Sequence, residues 1–214
     1  ATLVLHDFDR FNRVEIDDNG YIQNFDSKKN ALAFTGIQVL SPQIYDYFPD
    51  KKTFSSIEVY QDLCRKNLVK AFVEKNIFWS DIGTKDAYSM TSLQILSAAQ
   101  FKIKYDKIKQ LQIDKLAGDG SDRNWYRVGY KDQSFILSDH GICIPNSVEH
   151  LQLDAFVHIG NHLFSKKIDV PRILNHDALS GMVILDDLGD VHLETLIKQK
   201  NNARFTVKLY KKVI

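Results

Sequence analysis

Three short segments of this chain carry residue types suited to chemistry on phosphates. Phe78-Trp79-Ser80-Asp81-Ile82-Gly83-Thr84 delivers one carboxylate after an apolar, strand-like run, and Gly83 lets the chain turn tightly into a helix. In α/β folds ligands collect at the carboxyl ends of strands. A carboxylate there suits Mg²⁺, which takes hard oxygen ligands together with substrate phosphates. Asp81 is equally suited to capping the turn before the helix, and the local sequence leaves both roles open. Gly118-Asp119-Gly120-Ser121-Asp122-Arg123 lies between two strand-like runs, residues 111–116 and 125–128. A turn of small residues can lay backbone N–H groups over phosphates, and it is also an ordinary hairpin turn. Asp186, Asp187 and Asp190 follow an apolar run; they read as a metal-binding cluster, as a hinge after a strand, or as a solvated acidic turn.

Elements must position these segments. Residues 2–5, 14–16 and 21–25 are short apolar or alternating runs, and Asp17-Asp18-Asn19-Gly20 is a hairpin turn because Asn-Gly accepts positive φ cheaply. Residues 31–40 form a further strand, stopped by Pro42. Residues 54–67 predict a helix with Ser55 and Glu58 as a capping box and Ile57, Tyr60, Leu63 and Cys64 on one face. Residues 69–79 alternate as a strand, and Thr84 caps the helix that follows, with Asp86 in its first turn. A basic, weakly patterned stretch at 98–110 marks a boundary, giving domains 1–98 and 108–214 with 99–107 as linker. Beyond it, 125–130 and 134–138 read as strands. Residues 146–165 read as a helix with Asn146 as cap, Glu149 as its reciprocal partner, and Val148, Leu151, Ala155, Ile159 and Leu163 as the buried stripe. Strands follow Pro171 and span 182–185, and 193–200 is helix-like. The expected class is α/β plus α+β: a partial Rossmann-like layer, then an antiparallel sheet with one long helix.

Composition narrows the function classes. The chain has 214 residues, 44% hydrophobic and 26% charged, with a net charge of +1. That is a soluble profile without the concentrated basic face of a nucleic-acid binder. No apolar run approaches the ~18 residues that cross a bilayer. Cys64 and Cys143 are the only cysteines and have no metal-type spacing, so a reducing cytoplasm is the default. The opening Ala1-Thr2-Leu3-Val4-Leu5-His6-Asp7 lacks the features of a signal peptide and begins on strand-like residues without a start Met, as expected of a chain cut from something longer.

Two family resemblances follow from these segments. Leu32-Ala33-Phe34-Thr35-Gly36-Ile37-Gln38-Val39-Leu40-Ser41-Pro42 resembles the T-G-I-x-x-L-x-P segment of sugar-1-phosphate nucleotidyltransferases, and Trp79–Thr84 resembles their W-x-D-x-G-T segment, in the same order and with the same intervening helix. The nearest group is N-acetylmuramate 1-phosphate uridylyltransferase, then mannose-1-phosphate guanylyltransferase. The resemblance implies that Asp81 is one of two Mg²⁺ ligands, that Thr35 and Gly36 lie against the sugar, and that a sugar 1-phosphate attacks the α-phosphate of UTP or GTP. The family's Gly-rich nucleotide loop and second metal Asp have no counterpart here. Its E-K-P element falls near Phe25-Asp26-Ser27-Lys28-Lys29 and is degenerate.

The second half is similar to aminoglycoside-phosphotransferase-type sugar kinases, nearest to the anomeric kinases for N-acetylmuramate and N-acetylglucosamine. Gly118–Arg123 with Trp125-Tyr126-Arg127-Val128 resembles their first hairpin, and Ser134–Asp139 their third strand. Residues 146–165 resemble the following helix, Val170-Pro171-Arg172-Ile173-Leu174 the V-P-x-I/V-L segment, and Gly181–Asp190 the segment leading into the interlobe hinge. The resemblance implies that Gly118, Asp119, Gly120 and Ser121 cover the phosphates of ATP and that the backbone at Leu185 and Asp187 meets the adenine edge. The third strand has no lysine where such kinases hold phosphates, so Glu149 is a partner without a lysine. The catalytic loop and the Mg²⁺-binding Asp belong to a lobe with no counterpart in the sequence.

Together the halves imply a fragment of a bifunctional transferase, with a kinase making a sugar 1-phosphate and a nucleotidyltransferase converting it to a nucleotide sugar, for cell-wall salvage or surface polysaccharide. This chain alone is expected to be inactive. The alternative is a non-catalytic binding or scaffolding module retaining remnants of both folds. His158 and His162, four apart on one helix, have zinc-type spacing without a third ligand, and Trp79, Trp125, Tyr45, Tyr47 and Phe48 read as packing residues.

Overall fold

The structure, a computed structural model, describes every residue except 30, 76, 118–122, 201 and 214, and omits the side chains of 199, 200, 212 and 213. The fold is mixed α/β and holds two separate five-stranded sheets. The chain divides into two compact units, Ala1–Trp79 and Ser80–Ile214.

In the first unit, β1 (Thr2–His6), β2 (Val14–Ile16), β3 (Ile22–Asn24), β4 (Ala31–Val39) and β5 (Lys70–Val73) form a sheet in the order β3-β2-β4-β1-β5, with α1 (Ser56–Cys64) between β4 and β5 in sequence. Only the β1–β5 pair is parallel. Leu3 and Leu5 of β1 alternate inward and are fully buried with Ile22, Tyr60, Leu63 and Val69. Each such side chain contributes about 1.5–3 kcal/mol of hydrophobic stabilisation. The turn at 17–20 forms as expected, with Asp17 Oδ1 accepting from the amides of Asn19 and Tyr21 and Gly20 at φ +80°. Ser55 caps α1 by accepting from Ile57 N–H, while Glu58 pairs with Lys51 at 3.2 Å instead of reaching back to the cap. Among the described residues of 74–79, none continues β5. The aromatic residues near its expected end serve a cluster instead, in which Trp79 packs on His6, Phe8 and Phe11 with ring centroids 4.9–5.9 Å apart.

The second unit contains α2 (Lys85–Phe101), β6 (Gln112–Lys115), β7 (Asn124–Tyr130), β8 (Gln133–Asp139), α3 (Val148–Ser165), β9 (Ile173–Asp177), β10 (Met182–Asp186), α4 (Leu193–Lys200) and α5 (Ala203–Val213). Its sheet runs β6-β7-β8-β10-β9 and is antiparallel at every pairing. β10 is buried along Met182–Leu185, as a strand covered on both faces must be. Met182 and Ile184 join Leu93, Leu96 and Phe101 of α2, and Val183 and Leu185 join Leu153 and Val157 of α3. The unit is therefore three layers, α2 on one face of the sheet and α3 on the other.

This packing explains where the units divide. The sequence alone groups α2 with the first half and makes 99–107 a linker. The apolar face of α2 is buried by the second sheet, Phe101 lying 4.7 Å from Phe135 by ring centroids, so the compact unit starts at Ser80. The basic stretch ends α2 at Lys102, with φ +55°, and continues as a 3-10 turn, Tyr105–Gln110, that buries Ile108.

Two expectations for α3 are corrected. Ser147, and not Asn146, is the cap: its Oγ accepts from His150 N–H at 3.2 Å, because Asn146 takes a left-handed φ of +67° in the preceding turn. The buried face is Leu153 and Val157, whereas Val148, Leu151 and Ile159 are 58–65% exposed. Both stripes fit a helical period, and the position of the sheet decides between them.

Candidate functional site

Thr35 and Gly36 sit on β4. The Thr35 hydroxyl donates to Val4 O at 2.9 Å and accepts from Ile37 N–H, and its carbonyl accepts from Trp79 Nε1 at 3.1 Å. Gly36 has φ +86°, and a Cβ there would meet nothing within 4 Å. This stretch thus offers bare backbone on a side of the strand that no side chain covers, while Thr35 is spent on holding β4 to β1.

Asp81 belongs to the other compact unit. It is exposed, and its Oδ1 accepts from Gly83 N–H at 2.8 Å in an Asp-x-Gly turn that leads to Thr84, the cap of α2. Among the described residues no group of three or more His, Cys, Asp or Glu comes together to hold a metal ion. Mg²⁺ wants several oxygen ligands in near-octahedral array. One exposed carboxylate with an oxygen on a turn amide does not make that site. The same observation covers His158 and His162, which are exposed on α3, and the Asp186, Asp187 and Asp190 group.

Among the described residues the second unit has a cavity of about 890 Å³. Trp125 and Arg127 of β7, Ile136 of β8 and Leu185 of β10 supply its sheet wall. Phe156, Ile159, Gly160 and Leu163 of α3 supply the opposite wall, and Asp186–Asp190 supplies the rim. Its size is in the range of small-molecule sites, and its apolar body with a few polar groups is their usual character. Leu185 and Asp187, singled out in the sequence, both line it. Gly118, Asp119, Gly120 and Ser121 lie outside the described residues. The strands on either side of them, β6 and β7, pair antiparallel with Lys115 opposite Tyr126, and Leu116 and Ala117 line the cavity.

The rim is held by one charged network. Arg127 Nε and Nη2 donate to Asp187 at 2.8 and 3.1 Å, and Nη1 and Nη2 to Asp190 at 3.0 and 2.8 Å. Ser134 Oγ and Gly189 N–H also donate to Asp187. Burial is the largest single influence on the Asp187 carboxyl and would raise it. The Gly189 amide, the Ser134 hydroxyl and Arg127 outweigh burial and hold the group below its ordinary value. Asp186 accepts from the backbone amide and the guanidinium of Arg172. Glu149, exposed in the first turn of α3, is held below its ordinary value by its own backbone N–H and then the Ser147 hydroxyl. Cys64 and Cys143 are buried free thiols, the first pushed up to about 11 by burial, and neither is an activated nucleophile.

Sequence reasoning missed Arg127, Ser134 and the α3 wall. Arg127 stood inside the first-hairpin match with no role, because its partners lie 60 and 63 residues away. Tyr45, Phe48 and Phe54 pack edge to face, consistent with a packing role. No helix among the described residues is long and apolar enough to cross a membrane. No protein-family model matches the chain, and no curated protein matches it.

Proposed function

We propose that the second unit is the nucleotide-holding front lobe of a kinase-like sugar phosphotransferase and that the first unit belongs to a sugar-1-phosphate nucleotidyltransferase. The two would act on one sugar, as a kinase that forms its 1-phosphate from ATP and a transferase that joins that phosphate to UTP or GTP. The observation that carries the reading is the cavity lined by Leu185–Asp190, the segment that resembles the approach to an interlobe hinge. It is supported by the order of elements, in which a hairpin and third strand (β6, β7, β8) precede a helix (α3) and two strands (β9, β10). An aromatic and aliphatic interior suits a purine ring, and backbone groups at the end of β10 suit its polar edge. For the first unit, support comes from Gly36, whose bare, left-handed backbone leaves room for a sugar against β4.

The residues assigned here bind and orient. Phosphoryl transfer also needs a carboxylate to position the nucleophile and metal ligands beside the γ-phosphate, and none of the residues proposed above takes those roles. We expect the chain to bind adenosine and ATP at about millimolar strength, since half of an interlobe cleft buries less of a ligand than the ~70–90% of a good site. The test is an amide-resolved NMR titration with adenosine and with ATP. Shifts confined to β7, α3 and Leu185–Gly189 support the reading. Silence at these positions at saturating ligand would overturn it in favour of a non-catalytic binding or scaffolding module.

A further inference from the structure

Arg127 uses two edges of its guanidinium, and they differ in kind. The edge toward Asp187 is fixed: that carboxylate is 10% exposed and is also held by Ser134 and Gly189. The edge toward Asp190 is also a two-bond contact, at 3.0 and 2.8 Å, but it is open to solvent: Asp190 is 81% exposed and, among the described residues, Arg127 is its ion-pair partner. A bidentate guanidinium fork matches a phosphate as well as it matches a carboxylate. The Asp190 carboxylate is tethered but exposed, so an arriving anion can exchange with it, one set of charge-assisted bonds replacing another. The fork lies on the cavity wall, and an occupant bearing an anionic group would take this exposed edge while the Asp187 edge stays closed.

We propose that the outer edge of Arg127 is the anion-accepting position of this cavity, with Asp190 occupying it as an internal stand-in for a phosphoryl group. The inference rests on the nucleotide reading for the identity of the occupant. It assigns a role that a rim lysine or arginine without a carboxylate cover would not have. The arriving phosphate must compete with a tethered carboxylate, so removing that carboxylate strengthens binding of the charged ligand alone. Arg127 itself is kept in place by Asp187, so the fork does not need Asp190 to stay aimed at the cavity.

The experiment is the same NMR titration of the whole chain with adenosine, AMP, ATP and inorganic triphosphate, for the wild type, Asp190→Asn and Arg127→Lys. Asp190→Asn should tighten AMP and ATP by roughly fivefold, the order expected for removing one nearby charge in a wet site, and leave adenosine unchanged. Arg127→Lys keeps a charge for Asp187 but loses the fork, and should abolish the preference for AMP over adenosine. Equal changes for adenosine and AMP, or no gain in Asp190→Asn, would overturn the assignment while leaving the nucleotide reading intact. Tightened inorganic triphosphate with adenosine silent would keep the anion position and remove the nucleoside reading. Silence of all four ligands in every variant would overturn both.

Discussion

Asp81-Ile82-Gly83, Asp139-His140-Gly141 and Asp187-Leu188-Gly189 are the same local device. In each, the Asp Oδ1 accepts the amide of the glycine two residues on, at 2.8, 2.9 and 2.9 Å. What surrounds them differs. The Asp81 turn is exposed. The Asp139 turn is packed: Asp139 is 6% exposed, its second oxygen accepts from Ser89, and the carbonyl of Gly141 lies against Gly181. The Asp187 turn is held by Arg127 and Ser134 from strands β7 and β8. An Asp-x-Gly motif therefore fixes a turn and says nothing about whether the carboxylate is structural, packed or functional. That distinction lies in partners 50 or more residues away.

The largest effect should come from disturbing the packed turn. A Cβ on Gly181 would lie 1.9 Å from Gly141 O and 3.0 Å from Cys143 Sγ, and its φ of +71° disfavours any side chain. The clash is with backbone between two antiparallel segments, so rotamer changes cannot relieve it. Gly181→Ala should cost more than about 3 kcal/mol. Hydrogen exchange should show protection lost in β8 and β10, whose buried residues share cores with each other, and retained in β1 and β4, whose core contains only residues of the first unit. A stability change under about 1 kcal/mol would break the ranking of the three turns.

The held turn should respond less, and in a pH-dependent way. Asp187→Asn keeps an acceptor for Gly189 but removes the charge opposite Arg127, and should cost about 1–3 kcal/mol at neutral pH. The native Asp187 carboxyl titrates below its ordinary value. Its contribution is therefore complete above the unfolded value of about 4 and is lost as pH falls through the lower folded one. Chemical denaturation of wild type and variant should give curves that differ at pH 7 and converge below about pH 4. A gap that persists unchanged at low pH would mean that shape, and not charge, holds the turn.

What was legible in the sequence follows the same division between near and distant partners. The 17–20 hairpin and the Ser55 and Thr84 caps depend on neighbours within a few residues and form as expected; the strands are legible from their local alternation, but their pairing is not, and β5 stops at Val73 where the alternation runs to 79. Asn146 and Ser147 are both good caps, and only the backbone of the preceding turn decides between them. The assignment of α2 to the second unit needed knowledge that Leu93 and Phe101 meet Val128 and Phe135, which no local pattern carries. For the cavity, the apolar run into Asp186–Asp190 is a local pattern, and that segment lines one side. The opposite wall was invisible because Ile159 and Leu163 read as core, and the fork at Arg127 because its partners are remote in sequence.

The smallest effect belongs to the residue with the most suggestive sequence setting. Asp81→Asn should change stability by less than about 0.5 kcal/mol. The argument is specific. The carboxylate accepts one bond, from Gly83 N–H, and an Asn carbonyl oxygen occupies the same place with the same acceptor geometry. No ion pair involves Asp81 among the described residues, so no charged partner is stranded. Asp81→Ala should cost more than Asp81→Asn, by up to about 1 kcal/mol, because the turn amide then loses its acceptor. Denaturation of the two variants side by side gives the order. A loss with Asn as large as with Ala would show that the charge matters to the fold, and the three Asp-x-Gly turns would then no longer separate by their surroundings.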